Sequence, residues 1–371
     1  MPPPDRRSLR KAVLVSHQET KTRKNTAYVV AAIAVLAIGA GIWSVKGLAK
    51  GTPAPAANVR IGYFANLSHA QAVLGVSSGE FAAAVAPAKL TTKVFNAGPT
   101  LIEALFAGEI DLGYVGPGPA LAAHARSKGD GVRVVAGAAA NGVVVVVRKD
   151  SGIKTLADLV GRRVATPQHG NTQDIAARHY LTATLGQKDH GNVLPIPNAE
   201  QAGMMQRGQI DAAWVPEPWG ARLVAETGAT ILAEEKDLWP EKEFVLAVVV
   251  TTPEFLEKHP DVVEKVLGVH HAWTLRLQSN APAYAPQLGA ALQTLTGKKL
   301  PPGVLDAALT RVRFTDDPLE PNFKAMAQWT YDLGFERQPI KMSRLFDLTT
   351  LKKVQSAPAA PTTREAEHVP R

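Results

Sequence analysis

Two Gly/Pro turns in one short stretch of the chain stand where backbone groups could hold an anion. Gly98 and Pro99 follow a strand-like segment, and Gly116–Pro119 follows the next one. Each turn precedes a run with apolar residues at helical spacing, so strand, turn and helix start occur twice. Unpaired N–H groups and the positive end of a helix dipole meet at such turns. These residues therefore predict the binding of a small anion by neutral donors.

Three further loops place polar or aromatic residues at similar positions. One loop begins at Asn66, one follows a strand at 164–166, and one follows a strand at 210–215. We predict ligand contacts from fifteen residues of the five loops: Asn66, Leu67, Ser68, His69, Gly98, Gly116, Pro117, Gly118, Gln168, Gly170, Asn171, Thr172, Gln173, Trp214 and Glu217. Structural roles are the alternative, such as helix capping by Asn66 or Ser68 and core packing of Trp214. A contact from Glu217 would favour a ligand that carries an amine as well as an anion.

Motifs for catalysis or for metal binding are absent from the sequence. It has no His-Glu-x-x-His, no phosphate loop ending in Gly-Lys-Ser/Thr, and no Gly-x-Ser-x-Gly elbow. Because the chain contains no cysteine, disulfides and thiolate metal sites are excluded. We therefore expect a protein that is not an enzyme and that needs neither a cofactor nor a metal.

The elements that would position these loops alternate between strands and helices, which predicts the α/β class. The run Val143–Val147 is β-branched throughout, as in a strand that is covered on both faces. Two segments, 107–117 and 207–216, share the order glycine, polar residue, Ile-Asp, small residues, aromatic residue, valine and turn. This internal likeness indicates two similar lobes that face each other.

The positive charge of the chain is concentrated at its beginning. Residues 1–50 hold nine Lys or Arg and two Asp or Glu, a net +7 of the formal +8. The rest is nearly neutral, so we expect no nucleic-acid partner. Residues 27–45 carry no charge, and 19 helical residues at about 1.5 Å each can cross a hydrocarbon core of roughly 30 Å.

We accordingly expect a basic cytoplasmic N-terminus at 1–26, a transmembrane or signal-anchor helix at 27–45, and a linker at 46–57. Basic residues such as Lys21 and Arg23 precede the apolar run, and such flanks stay in the cytoplasm. The remaining chain would therefore be exported. Cleavage of the segment as a signal peptide stays open.

The order and spacing of several motifs resemble the substrate-binding proteins of ABC importers for aliphatic sulfonates, nitrate and taurine. In the first half these are Phe95–Pro99 and Gly108–Gly113, and in the second half Lys149–Lys154 and Gly161–Ala165. The resemblance covers about Val59 to Leu345. It implies a two-lobed periplasmic-binding-protein (Venus-flytrap) fold with a hinge, in which the ligand lies between the lobes.

The resemblance also implies boundaries, a location and partners. Lobe 1 would comprise 58–147 and 250–350, and lobe 2 would comprise 148–249, with crossovers near Val147 and Val249. Independently of the resemblance, the Ala, Pro and charged residues of the tail predict that 351–371 is disordered. The protein would be a monomer in the periplasm or at the cell surface, and from the uncharged run at 27–45 we expect it to be anchored to the inner membrane. It would deliver a small anionic ligand to permease and ATPase subunits. Related carriers of pyrimidine or thiamine precursors, and ligand-sensing domains of membrane receptors, remain alternatives.

Overall fold

A computed structural model describes residues 58–357 of the protein. The strands β1 to β11 are, in chain order, Asn58–Phe64, Lys89–Phe95, Leu112–Val115, Arg133–Asn141, Val143–Val147, Val164–Thr166, Val193–Pro195, Ala212–Pro216, Thr230–Glu234, Val245–Thr251 and Val312–Phe314. The helices α1 to α13 are Ala70–Ser77, Glu80–Val85, Gly98–Phe106, Pro117–Arg126, Thr172–His179, Asn198–Gln206, Trp219–Thr227, Pro253–Lys258, Pro260–Asn280, Ala285–Thr296, Val304–Leu309, Glu320–Asp332 and Thr349–Ser356.

The strands form two mixed sheets. The first has the order β11-β4-β10-β3-β1-β2, and the second has the order β7-β6-β8-β5-β9. In the first sheet β1 runs parallel to β2 and β3, while β10 runs antiparallel to β3 and β4. In the second sheet β6 is parallel to β7 and β8, while β5 is antiparallel to β8 and β9. Each sheet with its helices is called a lobe below, and the α/β class is as predicted.

The chain changes sheet at two points, and both lie earlier than the predicted crossovers near Val147 and Val249. Asn141 and Gly142 join β4 to β5 with φ angles of 61° and 75°, and the segment 235–244 leads from β9 back to β10. We therefore assign β5 to the second lobe and β10 to the first. The turn from β4 into β5 depends on the left-handed backbone at Gly142. The sequence of five valines does not by itself indicate which sheet the strand joins.

The valine strand β5 is covered on both faces, as predicted. Its five valines are each at most 4% exposed. Val143, Val145 and Val147 pack into a cluster that extends into the first lobe, and Val144 and Val146 pack into a separate cluster of the second lobe. The alternation follows from the two-residue period of a strand. A central strand of this kind provides a rigid base for the loops at its end.

The last part of the described chain corrects one prediction. Helix α13 covers part of the tail that we expected to be disordered, and Leu351 is 3% exposed in the core of the first lobe. Apolar side chains at helical spacing, Leu351 and Val354, account for the helix. Between residues 58 and 357, no helix is both long and apolar enough to cross a membrane. The segments 1–26, 27–45 and 46–57 and the remaining tail 358–371 lie outside the described residues.

Candidate functional site

A small cavity lies between the two lobes, where the N-termini of four helices meet. Helices α3 and α4 come from the first lobe, and α5 and α6 come from the second. The enclosed space is about 20 Å³, room for about one water molecule, so the two lobes are closed against each other. The lining residues are Phe64, Asn66, Ser68, His69, Asn96, Ala97, Gly98, Gly116, Pro119, Pro167, Asn171, Thr172, Gln173, Asn198, Pro216 and Leu246.

The charge of the cavity comes from backbone dipoles and not from ionised side chains. Gly98 begins α3, Gly116 is the N-cap of α4, and Asn171 is the N-cap of α5. The first N–H groups of a helix have no partner within it, and the helix dipole makes that end positive. No Asp, Glu, Lys or Arg is among the lining residues. The site can therefore hold an anion without a buried counter-ion.

His69 supplies a neutral side-chain donor to this cavity. Its Nδ1 atom accepts a hydrogen bond of 3.0 Å from the backbone N–H of Phe64, so the neutral ring carries its proton on Nε2. The residue is 2% exposed, and burial lowers the pKa of His69 to about 3. The imidazole is thus an uncharged N–H donor at physiological pH. The sequence predicts His69 in the site, but the tautomer follows only from the fold.

The loop before α5 is organised by its own side chains. The Oδ1 atom of Asn171 accepts from the backbone N–H of Asp174 at 2.9 Å, and its Nδ2 atom donates to Oε1 of Gln173 at 3.0 Å. Thr172 accepts a hydrogen bond of 3.3 Å from the N–H of Gly118 in the other lobe. The Thr172 hydroxyl hydrogen and the Gln173 amide are consequently the side-chain donors of this loop best placed for a ligand.

Three glycines allow these helix ends to approach. A Cβ atom at Gly116 would lie 2.2 Å from Oγ1 of Thr172, across the cleft. At Gly118 it would lie 2.8 Å from Cδ1 of Ile175, and at Gly98 it would lie 2.3 Å from Cγ of Pro119. Any side chain at Gly116 would collide with the second lobe. The glycine at this turn is therefore required for close contact between the lobes.

The structure brings eight of the fifteen predicted residues to the cavity. These are Asn66, Ser68, His69, Gly98, Gly116, Asn171, Thr172 and Gln173. Direct contact with a ligand stays a prediction for each of them. Asn66 does not cap the following helix, because its Oδ1 atom accepts from Nε1 of Trp219 at 2.7 Å.

The other predicted residues lie beside the cavity or away from it. Leu67 is fully buried, Pro117 takes the first position of α4, and Gly118 reaches Thr172 by its N–H. Gly170 donates its N–H to Oδ2 of Asp174 at 2.9 Å. Gln168 is half-buried next to this loop. These residues shape the loops around the cavity without lining it.

The structure places Trp214 in the core and not at the cavity. Its side chain is 1% exposed, its Nε1 atom donates to Oε2 of Glu235 at 2.6 Å, and its ring lies 5.9 Å from that of Tyr180. Alternation along β8 directs the side chain into the core that extends into the first lobe. The structural alternative, core packing, is therefore the one observed.

Glu217 also lies away from the cavity, because its carboxylate is engaged elsewhere. The side chain is fully buried, Oε2 accepts from the N–H of Ala221 at 2.9 Å, and Oε1 pairs with Nη1 of Arg311 at 3.0 Å. Burial raises the pKa of Glu217, and these partners oppose that shift. Because Glu217 does not face the cavity, it gives no reason to expect an amine on the ligand.

Several lining residues were not predicted. Asn198 begins α6 after Pro197, and the strand–turn–helix pattern used for the other loops could have identified it. Phe64 and Leu246 reach the cavity only because β1 ends, and the antiparallel β10 begins, on the same side of the first sheet. No local sequence signal indicates that second kind of contact.

Comparison with known proteins places this geometry in context. The sequence profile of the NMT1-like family matches residues 52–310. A binding protein of Brucella abortus is 29% identical over 179 residues, 48% of this chain and 54% of the relative, so the chain spans about half the length of that relative. An Escherichia coli protein named for binding aliphatic sulfonates is 28% identical over 301 residues, 81% of this chain and 90% of its own.

A solved structure shows the same fold. The alkanesulfonate-binding protein SsuA from Xanthomonas axonopodis pv. citri, bound to MOPS, has a TM-score of 0.65 and 24% identity, with 79% of this chain and 99% of that chain covered. This likeness confirms the two-lobed periplasmic-binding-protein fold. The relatives and the solved structure are all named as binding proteins.

Proposed function

The chain belongs to the NMT1-like family, and from this premise we propose that it is the solute-binding component of an ABC importer for a small anion. The cavity between the lobes is the observation that carries the proposal. Four helix N-termini and the neutral His69 converge there, and no lining residue is an Asp, Glu, Lys or Arg. Donors of this kind suit a ligand with a fixed negative charge, because no proton need be taken up or released.

The lining favours an alkyl sulfonate or nitrate within this class. Phe64, Leu246 and three prolines give the cavity an apolar part that an alkyl group could fill. Glu217, which would have suited the amine of taurine, is paired with Arg311 instead. Because the enclosed space holds about one water molecule, the lobes must separate to admit a ligand and close around it.

Calorimetry on the full-length protein tests this assignment. After removal of co-purified solutes, ethanesulfonate, nitrate, taurine and a pyrimidine are titrated separately. We expect binding of ethanesulfonate or nitrate at one site, with weaker binding of taurine. Binding of the pyrimidine alone would overturn the anion proposal in favour of a pyrimidine carrier.

Two matched variants connect the binding to the cavity. Thr172→Val removes a donor that lines the cavity, and Thr294→Val makes the same change at an exposed position on α10. Loss of a hydrogen bond to a charged ligand should weaken binding by about 1.5–3 kcal/mol in the first variant only. Equal affinities of both variants would place the ligand elsewhere.

We further propose that the protein acts outside the cytoplasm, anchored to the inner membrane by residues 27–45, and delivers its ligand to permease and ATPase subunits. The 19 uncharged residues after Lys21 and Arg23 support the anchor. Membrane fractionation tests it. Full-length protein should resist extraction at alkaline pH, and its bulk should be digested by protease added to the outside of spheroplasts. Co-purification with a membrane receptor kinase, and not with a permease, would favour the sensing alternative.

A further inference from the structure

The loop Pro216–Trp219 of the second lobe makes polar contacts with the first lobe on two sides. It follows β8 and leads into α7, beside the cavity but with its charged side chain turned away. On one side it contacts the segment Asn66–His69, which forms a wall of the cavity. On the other side it contacts Arg311, just before β11.

The contact with the wall consists of two hydrogen bonds. Nε1 of Trp219 donates to Oδ1 of Asn66 at 2.7 Å, and the backbone N–H of Leu67 donates to the carbonyl of Glu217 at 3.1 Å. Asn66 and Leu67 immediately precede Ser68 and His69, which line the cavity. Both bonds cross between the lobes. They would break if the lobes separated at the cleft, and they fix the wall while they hold.

The second contact is ionic. Arg311 lies 3.0 Å from Oε1 of Glu217 and 3.6 Å from Oε1 of Glu234, both in the second lobe. Glu217 is fully buried, so removal of its partner would leave a poorly compensated charge. The backbone N–H of Glu217 also donates to the carbonyl of Gly142 at 2.8 Å, where β4 turns into β5. The loop is thus held at the crossover and presented to the wall.

We propose that the loop Pro216–Trp219 is a latch that holds the two lobes closed and fixes the wall segment Asn66–His69 in its ligand-binding geometry. Trp219 and Glu217 are positioning residues in this arrangement and do not touch the ligand. The effect on ligand affinity rests on the proposed function. The effect on lobe closure does not, because the latch bonds join protein groups only.

Lobe closure is measured first, in full-length protein without added ligand. The chain contains no cysteine, so Phe106→Cys in the first lobe and Val160→Cys in the second, both at exposed positions, give two specific sites for spin labels. Trp219→Phe removes the indole N–H and keeps an aromatic ring. We expect a longer and broader interlobe distance distribution in this variant. An unchanged distribution overturns the latch.

Trp273→Phe is the matched control. The Nε1 atom of Trp273 is buried in the first lobe and has no hydrogen-bond partner among the described residues. The control variant should leave the interlobe distances unchanged. An equal change in both variants would mean that loss of a tryptophan, and not of the latch bond, opens the protein.

Ligand kinetics then distinguish the latch from the proposed function. With ethanesulfonate as probe, Trp219→Phe should raise the dissociation rate and weaken affinity roughly five- to tenfold, the scale of one net hydrogen bond. Asn66→Ala should have a similar effect, and the double variant should be little worse than either single one. Full additivity would mean that Asn66 contacts ligand directly, and would overturn the latch. Absence of all anion binding with opened lobes in Trp219→Phe would instead contradict the proposed function alone.

Discussion

At the scale of single residues, the environment of His69 decides its chemistry. The ring of His69 stacks on that of Phe64 with centroids 4.3 Å apart, and the backbone N–H of Phe64 donates to Nδ1 of His69. Burial holds the pKa of His69 near 3, so the proton on Nε2 stays in place across physiological pH. An imidazole that usually titrates near neutrality is therefore a fixed dipole here. The two functions of this ring, accepting from the Phe64 N–H through Nδ1 and donating at the cavity through Nε2, can then be separated by substitution.

His69→Asn and His69→Gln should separate them. The Oδ1 atom of asparagine can replace Nδ1 as acceptor for Phe64, while the Nε2 atom of glutamine can replace the donor at the cavity. We expect His69→Asn to weaken anion affinity by about 1.5–3 kcal/mol with a small change in stability. His69→Gln should retain more affinity and lose about 1–3 kcal/mol of unfolding free energy, because the Phe64 N–H is left unpaired. Calorimetry measures the anion affinity, and urea unfolding measures the stability. Higher affinity and lower stability of His69→Asn than of His69→Gln would contradict the assigned tautomer.

The pH dependence of stability gives a second test of His69. Its pKa of about 3 in the folded protein lies below the ordinary value near 6.5, so the unfolded chain binds the proton first. Its contribution to stability is present above pH 6.5 and is lost as the pH falls toward 3. Urea unfolding between pH 7.5 and 5 should show a smaller loss in His69→Gln than in the wild type. An equal loss in the two proteins would mean that the folded His69 ring takes up a proton as readily as the unfolded one.

Residue types in the site could be read from the sequence better than the directions of their side chains. Gly98, Gly116 and Asn171 could be expected at the cavity because turns and caps depend on local backbone conformation. Glu217 lies away from the cavity because its partner Arg311 is 94 residues later in the chain, and Trp214 because the alternation of β8 turns its ring into the core. A loop pattern indicates that a residue is near the cleft, but only the packed fold determines which way it points.

At the scale of elements, helix α4 meets helix α5 end to end across the cleft. Gly116 precedes the first turn of α4 with φ −76°, a conformation that any residue can adopt. The reason for glycine is space, because a Cβ atom would lie 2.2 Å from Oγ1 of Thr172. The close approach therefore depends on contact between the lobes and not on the local backbone.

Gly116→Ala should consequently impair closure and leave the lobes folded. Overpacking of a closed contact costs about 1–3 kcal/mol, and this cost applies only when the lobes meet. We expect anion affinity to weaken by about that amount while circular dichroism is unchanged. Gly268→Ala is the control, since no atom lies within 4 Å of the added methyl group on α9. Equal affinity in the two variants would show that the contact with Thr172 does not form during binding.

Most elements could be predicted because their signals are local. Val143–Val147 forms the predicted strand, and the helix-like run expected after Gly98 and Pro99 forms as α3. The partner of each strand was harder to foresee: β5 enters the second sheet because of a left-handed turn at Gly142, and β10 returns between β3 and β4. Sheet order depends on contacts between residues far apart in the sequence, such as Val144 with Glu234 and Val249 with Tyr114, which local periodicity does not contain.

At the scale of the whole molecule, the return crossover is tied to both lobes by an aromatic cluster around one buried acid. Glu235 is 1% exposed and accepts from the indole N–H groups of Trp214 at 2.6 Å and Trp239 at 3.2 Å. The ring of Trp239 lies 4.4 Å from that of Trp329 in the first lobe, which stacks on His179 of the second. No cation within the described residues pairs with Glu235, and burial raises its pKa to about 7. Protonation of this one group is thus linked to folding of the region where the lobes join.

The sign of the linkage predicts a stability that falls as the pH rises. The folded protein binds the proton of Glu235 up to about pH 7, whereas an unfolded glutamate releases it near 4.3. The contribution is therefore fully present below pH 4.3 and is lost as the pH rises through 7, about 4 kcal/mol in total as an order of magnitude. Glu235→Gln cannot ionise, but its amide leaves one indole unpaired at a cost of about 1–3 kcal/mol.

Urea unfolding at pH 5, 6, 7 and 8 should hence find Glu235→Gln less stable than the wild type at pH 5, with the difference shrinking or reversing by pH 8. Glu103→Gln, at an exposed position on α3, should follow the wild-type pH profile, because loss of an exposed acid leaves the buried one in place. The opposing contribution of His69 is common to all three proteins and cancels in the differences. A constant gap between Glu235→Gln and wild type from pH 5 to 8 would mean that the two indoles hold the carboxylate ionised throughout. The crossover would then carry a permanent buried charge, and the lobes would be joined equally well at every pH in this range.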